Sequence, residues 1–381
     1  MDAKASRGIS RYFETLEDPR IDRTKQHELN DIVMIAIVAV LADAESWTEV
    51  ELFGKAKEQW FRRFLKLPNG IPSHDTFTRV FARLDPEQWN DCFMRWMQDL
   101  AHQMGVKTVS IDGKTLRASA DAAEGRPAVH MVSAWAQEAR LVLGQVTCHE
   151  KSNEIIAIPE LLTLLELKGC IVTIDAMGCQ REIAKQIVQD GGDYILALKD
   201  NQQTLHTDAA LMLAEAEDQS QKFDLDDHTT EDEGHGRREH RHYTTLKLGN
   251  ETWRFAKDRW PGLKAIGRVI RQRTDKTTGK TSTETCYYLM SVAMAAKRFA
   301  SAVRGHWGIE NSVHWVLDVT YNEDQSRCRK DHGAANFSVL RRLTMNLLRA
   351  NREGTKMTMK AQRRKIGWDL SFLDDLLQHT I

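Results

Sequence analysis

Two aspartates stand where two apolar stretches end, a placement that could create a metal site. Asp112 follows residues 109–111 and precedes Gly113, and Asp175 follows residues 170–174 and precedes the small residues 176–178. Ligands bind at the carboxyl edge of open α/β sheets, and hard cations prefer oxygen ligands there. Either aspartate alone is typical of a residue that caps the turn after a strand. The two together favour a site, because the small residues after them would let a bulky substrate approach.

A third acid, Glu310, lies in a stretch with helical spacing, in which Val303, Trp307 and His314 occupy neighbouring turns. Taken alone, a glutamate in a helix is typical of a solvated surface. The residue pattern therefore leaves its role open.

The elements that position these acids follow from periodicity. Residues 106–199 read as β-β-β-α-β-α-β, which predicts an α/β fold with a mixed sheet and helices packed on it. A ribonuclease H-like core has this order. Residues 205–285 contain a charge-rich segment and short β-like pieces, and we interpret them as a β-rich insertion. We expect a catalytic domain over residues 104–350 and a basic C-terminal tail segment with a short helix over residues 351–381.

The spacing of apolar residues over residues 1–103 predicts an all-helical N-terminal domain. Ser73 and Asp85 have the residue type and position of helix N-caps, the second with Pro86 in the first turn. The helix after Ser73 has the length of a recognition helix in a helix-turn-helix, although a three-helix packing unit would look similar. Its polar face would carry His74, Asp75, Thr78, Arg79 and Arg83.

The amino-acid composition limits the classes of protein to which this chain could belong. The chain has 381 residues, 41% of them hydrophobic and 28% charged, as in ordinary soluble globular proteins. Its longest apolar run, residues 32–42, is about half of the roughly 20 residues that a membrane span needs. Six cysteines lie far apart without a C-x-x-C pair, which favours reduced thiols. We therefore expect a soluble, cytoplasmic protein with no membrane partner.

The formal net charge is −1, although the chain has 53 lysines and arginines. Phosphate contacts favour a basic protein, so composition leaves DNA binding undecided. If DNA binds, the chain must present a local basic face, for which we expect residues such as Lys114, Lys199, Arg237, Arg238, Arg304 and Arg341.

Several segments resemble those of bacterial DDE-type insertion-sequence transposases, in the group called H-repeat-associated proteins. The matching segments are residues 110–114, 172–177, 194–202, 234–237, 304–311 and 317–324, in that order. The resemblance extends from about residue 18 to residue 349.

The resemblance implies a ribonuclease H-like catalytic domain interrupted by a β-rich insertion before its last acid. It assigns Asp112, Asp175 and Glu310 as the catalytic, metal-binding DDE triad. Three carboxylates suit two Mg²⁺ ions, for which Mn²⁺ is a possible substitute, in DNA end cleavage and strand transfer. It further implies DNA as partner, with a homodimer assembled on the transposon ends and target.

The sequence departs from the wider superfamily around the last acid, where a Tyr, Arg, Glu, Lys pattern is usual. Val303, His306 and Leu317 stand in the Tyr, Arg and Lys positions, and Arg304 could take over phosphate contact. The DNA-contacting residues expected from the resemblance are Lys114, Lys199, Asn201, Arg237, Arg304 and His306.

Other interpretations stay open at this point. A domesticated DNA-binding protein could keep the fold without transposition, and a plain ribonuclease H-like nuclease could lack strand transfer. His228, His235, His240 and His242 lack the spacing of a zinc site, so we expect no zinc there. The segment around them, residues 234–241, is typical of a solvated loop.

Overall fold

The computed structural model describes residues 7–121, 124–148, 154–234, 236–249, 260–351 and 356–379. Among the helices of these residues, none is long and apolar enough to cross a membrane. The N-terminal helices are α1 (Arg7–Ser10), α2 (Leu29–Leu41), α3 (Trp47–Ala56), α4 (Glu58–Phe61), α5 (His74–Arg83) and α6 (Pro86–Met104).

Side-chain caps begin the N-terminal helices where the sequence places them. The Ser73 hydroxyl accepts a hydrogen bond from the Thr76 N–H, and the Asp85 carboxylate accepts one from the Glu87 N–H. Such caps satisfy N–H groups that have no partner within the helix. Both predicted caps are confirmed. Helices α3 and α4 are separate, because Lys57 leaves helical geometry between them.

Within the described residues, nine strands form one mixed sheet in the order β3-β2-β1-β4-β5-β9-β8-β7-β6. Strands β1, β2 and β3 pair antiparallel, whereas β4 runs parallel to β1 and β5 parallel to β4. The strands are β1 (Thr108–Thr115), β2 (His130–Ala136), β3 (Leu141–Cys148), β4 (Ile171–Ile174), β5 (Asp193–Leu198), β6 (Asp224–Gly234), β7 (Arg237–Lys247), β8 (Ala265–Asp275) and β9 (Thr281–Met290).

The charge-rich segment is part of this sheet. Strands β6 and β7 pair from Asp224 with Lys247 to Gly234 with Arg237. Residues 237–241 therefore belong to a strand, and the prediction of a solvated loop is wrong for them. Most β6 residues are exposed, which removes the apolar alternation by which a strand is recognised. Cross-strand backbone pairing and opposite charges stabilise the hairpin instead.

The last four strands extend beyond the rest of the sheet. Pairing between β5 and β9 ends where Leu198 faces Tyr287, but β9 continues along β8 as far as Thr281. At about 3.3 Å per residue, this extension reaches roughly 20 Å past the carboxyl end of β5. We call it the arm (residues 227–244 and 268–287, of which His235 lies outside the described residues).

The remaining helices cover the sheet and bind it to the N-terminal helices. They are α7 (Glu154–Thr163), α8 (Arg181–Gln189), α9 (Gln203–Asp218), α10 (Ala296–Ile309), α11 (Trp315–Thr320), α12 (Gly333–Ala350), α13 (Met359–Trp368) and α14 (Leu370–His379). Helix α12 is central, since Asn346 bonds the backbone of Val142 on β3 and Asn336 bonds the backbone of Phe81 on α5. One apolar core therefore runs from the N-terminal helices to the sheet.

The basic C-terminal segment forms helices that pack against this core. Arg363 is fully buried, pairs with Asp43, donates to the Val40 carbonyl and lies over the Tyr321 ring. The segment thus uses some of its positive charge inside the protein.

A buried ion cluster joins β1 to α12. The Glu323 carboxylate lies 3.4 Å from Lys114 Nζ and 3.0 Å from Arg342 Nη1, and it accepts a hydrogen bond from Ser338. Burial raises the pKa of Glu323, but Arg342, Lys114 and Arg341 outweigh burial and hold the pKa at about 2. Since Lys114 follows Asp112 by two residues, the cluster fixes the end of the strand that carries this acid.

Replacing Glu323 with glutamine should lower the free energy of unfolding by about 3–5 kcal/mol, because buried cations lose their partner. The difference in free energy of unfolding between wild type and variant should be complete above about pH 4.5, the ordinary pKa of a glutamate. It should shrink as the pH falls toward 2, where the folded protein takes up the proton. Urea unfolding across this pH range measures both effects. Glu215→Gln, at an exposed position of α9, should change stability by less than about 0.5 kcal/mol. Equal effects of the two substitutions would contradict a stabilising role for the cluster.

Candidate active site

Asp112 and Asp175 occupy equivalent positions on neighbouring parallel strands. The β1–β4 register pairs Ile111 with Ile174, so each aspartate is the next residue along its chain. Neighbouring strands lie about 4.8 Å apart, which places the two side chains side by side at the carboxyl edge. Asp175 Oδ1 accepts hydrogen bonds from the backbone N–H groups of Met177 (3.0 Å) and Gly178 (3.4 Å). The turn after β4 thereby fixes one oxygen of this carboxylate.

The environment of Asp112 disfavours its negative charge. Its pKa is raised to about 6, chiefly by burial and also by the carboxylates of Asp175 and Glu154, which together outweigh the lowering effects of His314 and the Gly113 N–H. Repulsion from Asp175 agrees with the strand register. A group in such surroundings is stabilised in its charged form by a nearby cation.

Glu310 reaches the same edge from the helical layer. It begins a π-helical turn, Glu310–His314, between α10 and α11, in which the Trp315 N–H donates to the Glu310 carbonyl. Ligand atoms of Asp112, Glu310 and His314 all lie within 4.8 Å of one another. The Asp112–Glu310 approach thus falls within the range of a shared metal site, and Glu310 keeps 59% of its side chain exposed toward an incoming substrate.

His314 is a member of this group that sequence reasoning did not select. Its side chain is 5% exposed, and Nδ1 lies 2.7 Å from Glu310 Oε2 and 3.8 Å from Asp112 Oδ2. The hydrogen bond to His314 holds the pKa of Glu310 below its ordinary value. The available signal was its place four residues after Glu310, which puts both on one helix face.

A polar network beneath the acids holds α10 against the sheet. Thr173 Oγ1 donates to Ser110 Oγ (3.0 Å) and is hydrogen-bonded to His306 Nδ1 (3.0 Å). Gln137 Nε2 donates to Ser110 Oγ (2.8 Å) and to the Ala302 carbonyl (3.0 Å). A Cβ on Gly305 would collide with the Gln137 carboxamide, so glycine is required for this approach. Sequence reasoning missed these supporting residues.

His306 has a different environment from the DNA contact that we expected. It is partly buried and bonded to Thr173. Burial lowers its pKa to about 4 despite the opposing effect of Asp175. It is therefore neutral near pH 7 and offers no positive charge to a phosphate.

Lys114 likewise differs from its expected role. Its ammonium is buried and contacts Asp318 (2.7 Å), Asp324 (3.0 Å) and Glu323 (3.4 Å). Arg341 is also buried, over the Phe337 ring. Both were expected on a basic DNA-binding face, and burial contradicts that expectation, because their charges neutralise carboxylates inside the protein.

The other residues expected at DNA occupy two places. Lys199 is exposed after β5, and Asn201 Nδ2 donates to the Ala176 carbonyl (2.6 Å), which joins this loop to the turn after Asp175. Arg237 is exposed at the arm tip. Arg304 is exposed on α10 and pairs with Asp232 of the arm at 2.8 Å.

A second pair of polar side chains lies behind Asp112. His130 Nε2 and Glu154 Oε1 are 2.6 Å apart and both residues are buried, while His130 Nδ1 is hydrogen-bonded to Thr115 Oγ1 (2.8 Å). A Cβ on Gly113 would overlap Glu154 and His130, which explains the glycine after Asp112. Sequence reasoning did not identify this pair.

The histidines of β6 and β7 form no metal-ligand group among the residues that the structure describes. His242 pairs with Asp227 (3.1 Å), whereas His235 lies outside the described residues. On the N-terminal side, α5 presents His74, Arg79 and Arg83 to solvent, with His74 Nδ1 2.7 Å from a Glu51 carboxylate oxygen.

Comparisons with known proteins show the family to which the chain belongs. Residues 105–347 match the model of the Transposase DDE domain family, and residues 10–97 match the DDE_Tnp_1-associated family. The chain is 38% identical to "Putative transposase YncI" of Escherichia coli O157:H7 over 96% of its length and 93% of that protein. It is 36% identical to "H repeat-associated putative transposase YhhI" of Escherichia coli K12, over 97% of each.

Among solved structures, a piggyBac transposase synaptic complex with hairpin DNA aligns with 97% of this chain and 80% of its own, at 11% identity and a TM-score of 0.43. The family match covers well over half of the chain, and the relatives match over nearly their whole length. The resemblance read from the sequence motifs is thereby confirmed, and the chain belongs to the DDE transposase family.

Proposed function

We propose that this protein cleaves the DNA ends of an insertion sequence and joins them to a target, with Asp112, Asp175 and Glu310 as its metal-binding carboxylates. The observation that carries the proposal is that Glu310 approaches Asp112, while Asp175 follows the neighbouring strand at the position level with Asp112. The strand register aligns the two aspartates, and the π-helical turn brings Glu310 within 4.8 Å of Asp112. Mg²⁺ is the proposed cofactor, with Mn²⁺ as a substitute.

The sheet supports a ribonuclease H-like core for this proposal. Its first five strands have the order β3-β2-β1-β4-β5, with an antiparallel half followed by parallel strands. Strands β6 to β8, which extend the sheet from β9, are the proposed insertion before the last acid.

The donor set fits hard divalent cations. The three acids supply carboxylate oxygens, and the raised pKa of Asp112 identifies a carboxylate that lacks a full counter-charge. When bound, such cations activate an oxygen nucleophile and stabilise a leaving oxygen. The Met177 and Gly178 N–H groups hold Asp175, while the exposed Glu310 faces arriving DNA.

One site can serve both reactions. Water as nucleophile leaves a 3′-OH, and this hydroxyl then attacks a second DNA in the same geometry. Neither step requires a covalent link to the protein, so no serine or tyrosine nucleophile is assigned.

DNA is proposed to lie along the carboxyl edge, between the acids and the arm. Lys199 lies at this edge, Arg304 lies six residues before Glu310, and Arg237 and Arg238 stand at the arm tip. Both ends of one element must be held together while they are joined to the target, so we propose a homodimer assembled on DNA. The exposed face of α5 is a further proposed contact.

Asp175→Asn should lower cleavage of end-sequence DNA in Mg²⁺ by at least about 10²–10³-fold, the cost of losing one preorganised charge-stabilising group. DNA binding should persist, because it depends on the basic contacts. Asp112→Asn and Glu310→Gln should behave alike. Nicking and joining assays, with Ca²⁺ gel shifts for binding, measure both properties.

The matched control is Asp190→Asn, at an exposed position after α8, which should cleave as wild type does. Nicking without joining would favour a plain nuclease. A wild-type protein that binds but never nicks in Mg²⁺ or Mn²⁺ would be a domesticated DNA-binding protein. Cleavage that survives all three substitutions would overturn the assignment of the acids.

The Arg237→Ala, Arg238→Ala double variant should bind end DNA more weakly and with a shallower salt dependence. Each lost phosphate contact should reduce the slope of log K against log salt concentration by about 0.9. Fluorescence anisotropy at several salt concentrations provides the measurement. Lys185→Ala, an exposed change on α8, should leave the slope unaltered. An unchanged slope in the double variant would remove the arm tip from the DNA interface.

A further inference from the structure

We propose that His314 is a nitrogen ligand of the cation held by Asp112 and Glu310, and that it makes this position favour Mn²⁺ over Mg²⁺. The inference rests on the proposed function, because it concerns the metal centre of that same site. It adds a fourth protein ligand to the three acids and a chemical difference between the two cation positions.

The first support is the local helix geometry. A π-helical turn inserts one residue into an otherwise α-helical stretch, and such turns are often found at functional sites. Here the turn Glu310–His314 places a carboxylate and an imidazole on the same side. His314 Nδ1 lies 2.7 Å from Glu310 and 3.8 Å from Asp112, so one ring nitrogen faces both carboxylates.

The second support is the hydrogen bonding of the imidazole. His314 is 4% exposed, and its Nε2 is buried without a hydrogen-bond partner among the described residues. The described polar partners of His314 are two carboxylates of the metal group, and both face Nδ1. These contacts direct Nδ1, and not Nε2, toward the proposed position of the cation.

The two cation positions differ in their donors. Asp175 is held by backbone N–H groups, and His306, whose pKa Asp175 raises, is already bonded to Thr173. A cation between Asp112 and Asp175 would therefore receive oxygen ligands from these acids. A cation between Asp112 and Glu310 would also receive nitrogen from His314. Mg²⁺ strongly prefers oxygen, whereas first-row transition cations accept imidazole more readily.

Pulsed electron paramagnetic resonance of Mn²⁺ bound to the purified, full-length protein tests the assignment directly. Electron spin echo envelope modulation should reveal a coupled ¹⁴N nucleus in the wild type. Labelling with ¹⁵N-histidine should replace that signal with a ¹⁵N coupling. This spectrum decides the question in the unaltered protein, so the test does not depend on how any variant folds.

His314→Gln should lose the nitrogen coupling. Its Mn²⁺ affinity should fall at least about tenfold, since even a supporting partner of a metal ligand is worth about 10–100-fold. Its Mg²⁺ affinity, measured by competition, should change less. His102→Gln is the control, because it removes an exposed imidazole of α6 that lies outside the site, and it should keep the coupling.

The outcomes separate this inference from the proposed function. Mn²⁺ that binds in an Asp112-dependent manner but shows no histidine nitrogen coupling would overturn the role of His314 and leave the carboxylate site intact. A coupling that survives in His314→Gln would also overturn it. If the wild type binds no Mn²⁺, or if Asp112→Asn binds Mn²⁺ as well as the wild type does, the result would count against the metal site itself. It would therefore also count against the proposed function.

Discussion

Mutual repulsion of closely placed carboxylates is the constraint that the rest of this structure must satisfy. Oxygens of Asp112 and Glu310 lie within 4.8 Å, and Asp175 stands beside Asp112 on the next strand. Two like charges at this separation repel by on the order of 1–3 kcal/mol, depending on solvent screening. A flexible loop would relieve this repulsion by moving apart. Strand pairing and a helical turn prevent such movement, so the acids remain placed for a cation.

Interior polar contacts extend this control to the elements themselves. Gln137 joins α10 to Ser110 on β1, and the buried cluster around Glu323 joins the end of β1 to α12. Each contact connects a residue two positions from Asp112 with a helix distant in sequence. The position of this proposed catalytic acid therefore depends on side chains outside the group of carboxylates.

The two aspartates were predictable as candidates because local pattern encodes them, although only Asp175 follows the end of its strand and β1 continues past Asp112 to Thr115. Apolar runs that end on an acid and a small residue define Asp112 and Asp175, and the caps Ser73 and Asp85 follow equally local rules. The interior contacts of Lys114 and His306 were not predictable from the sequence, because the partners lie far along the chain. These partners are Glu323 for Lys114 and Thr173 for His306. Strand β6 was missed because its exposed, charged residues lack alternation. The spacing of His314 from Glu310 was visible in the sequence, but its approach to Asp112 was not, because β1 is distant along the chain.

Burial of basic residues also changes the meaning of the net charge. Lys114, Arg341 and Arg363 are buried and balance interior carboxylates, so the overall charge of −1 says little about the surface that meets DNA. At Arg304 the competition is direct, because Asp232 of the arm already occupies this guanidinium. A phosphate that binds there replaces one anion by another. Such an exchange releases fewer counterions than contact with a free cation, so Arg304 should contribute less to the salt dependence of DNA binding than the arginines at the arm tip.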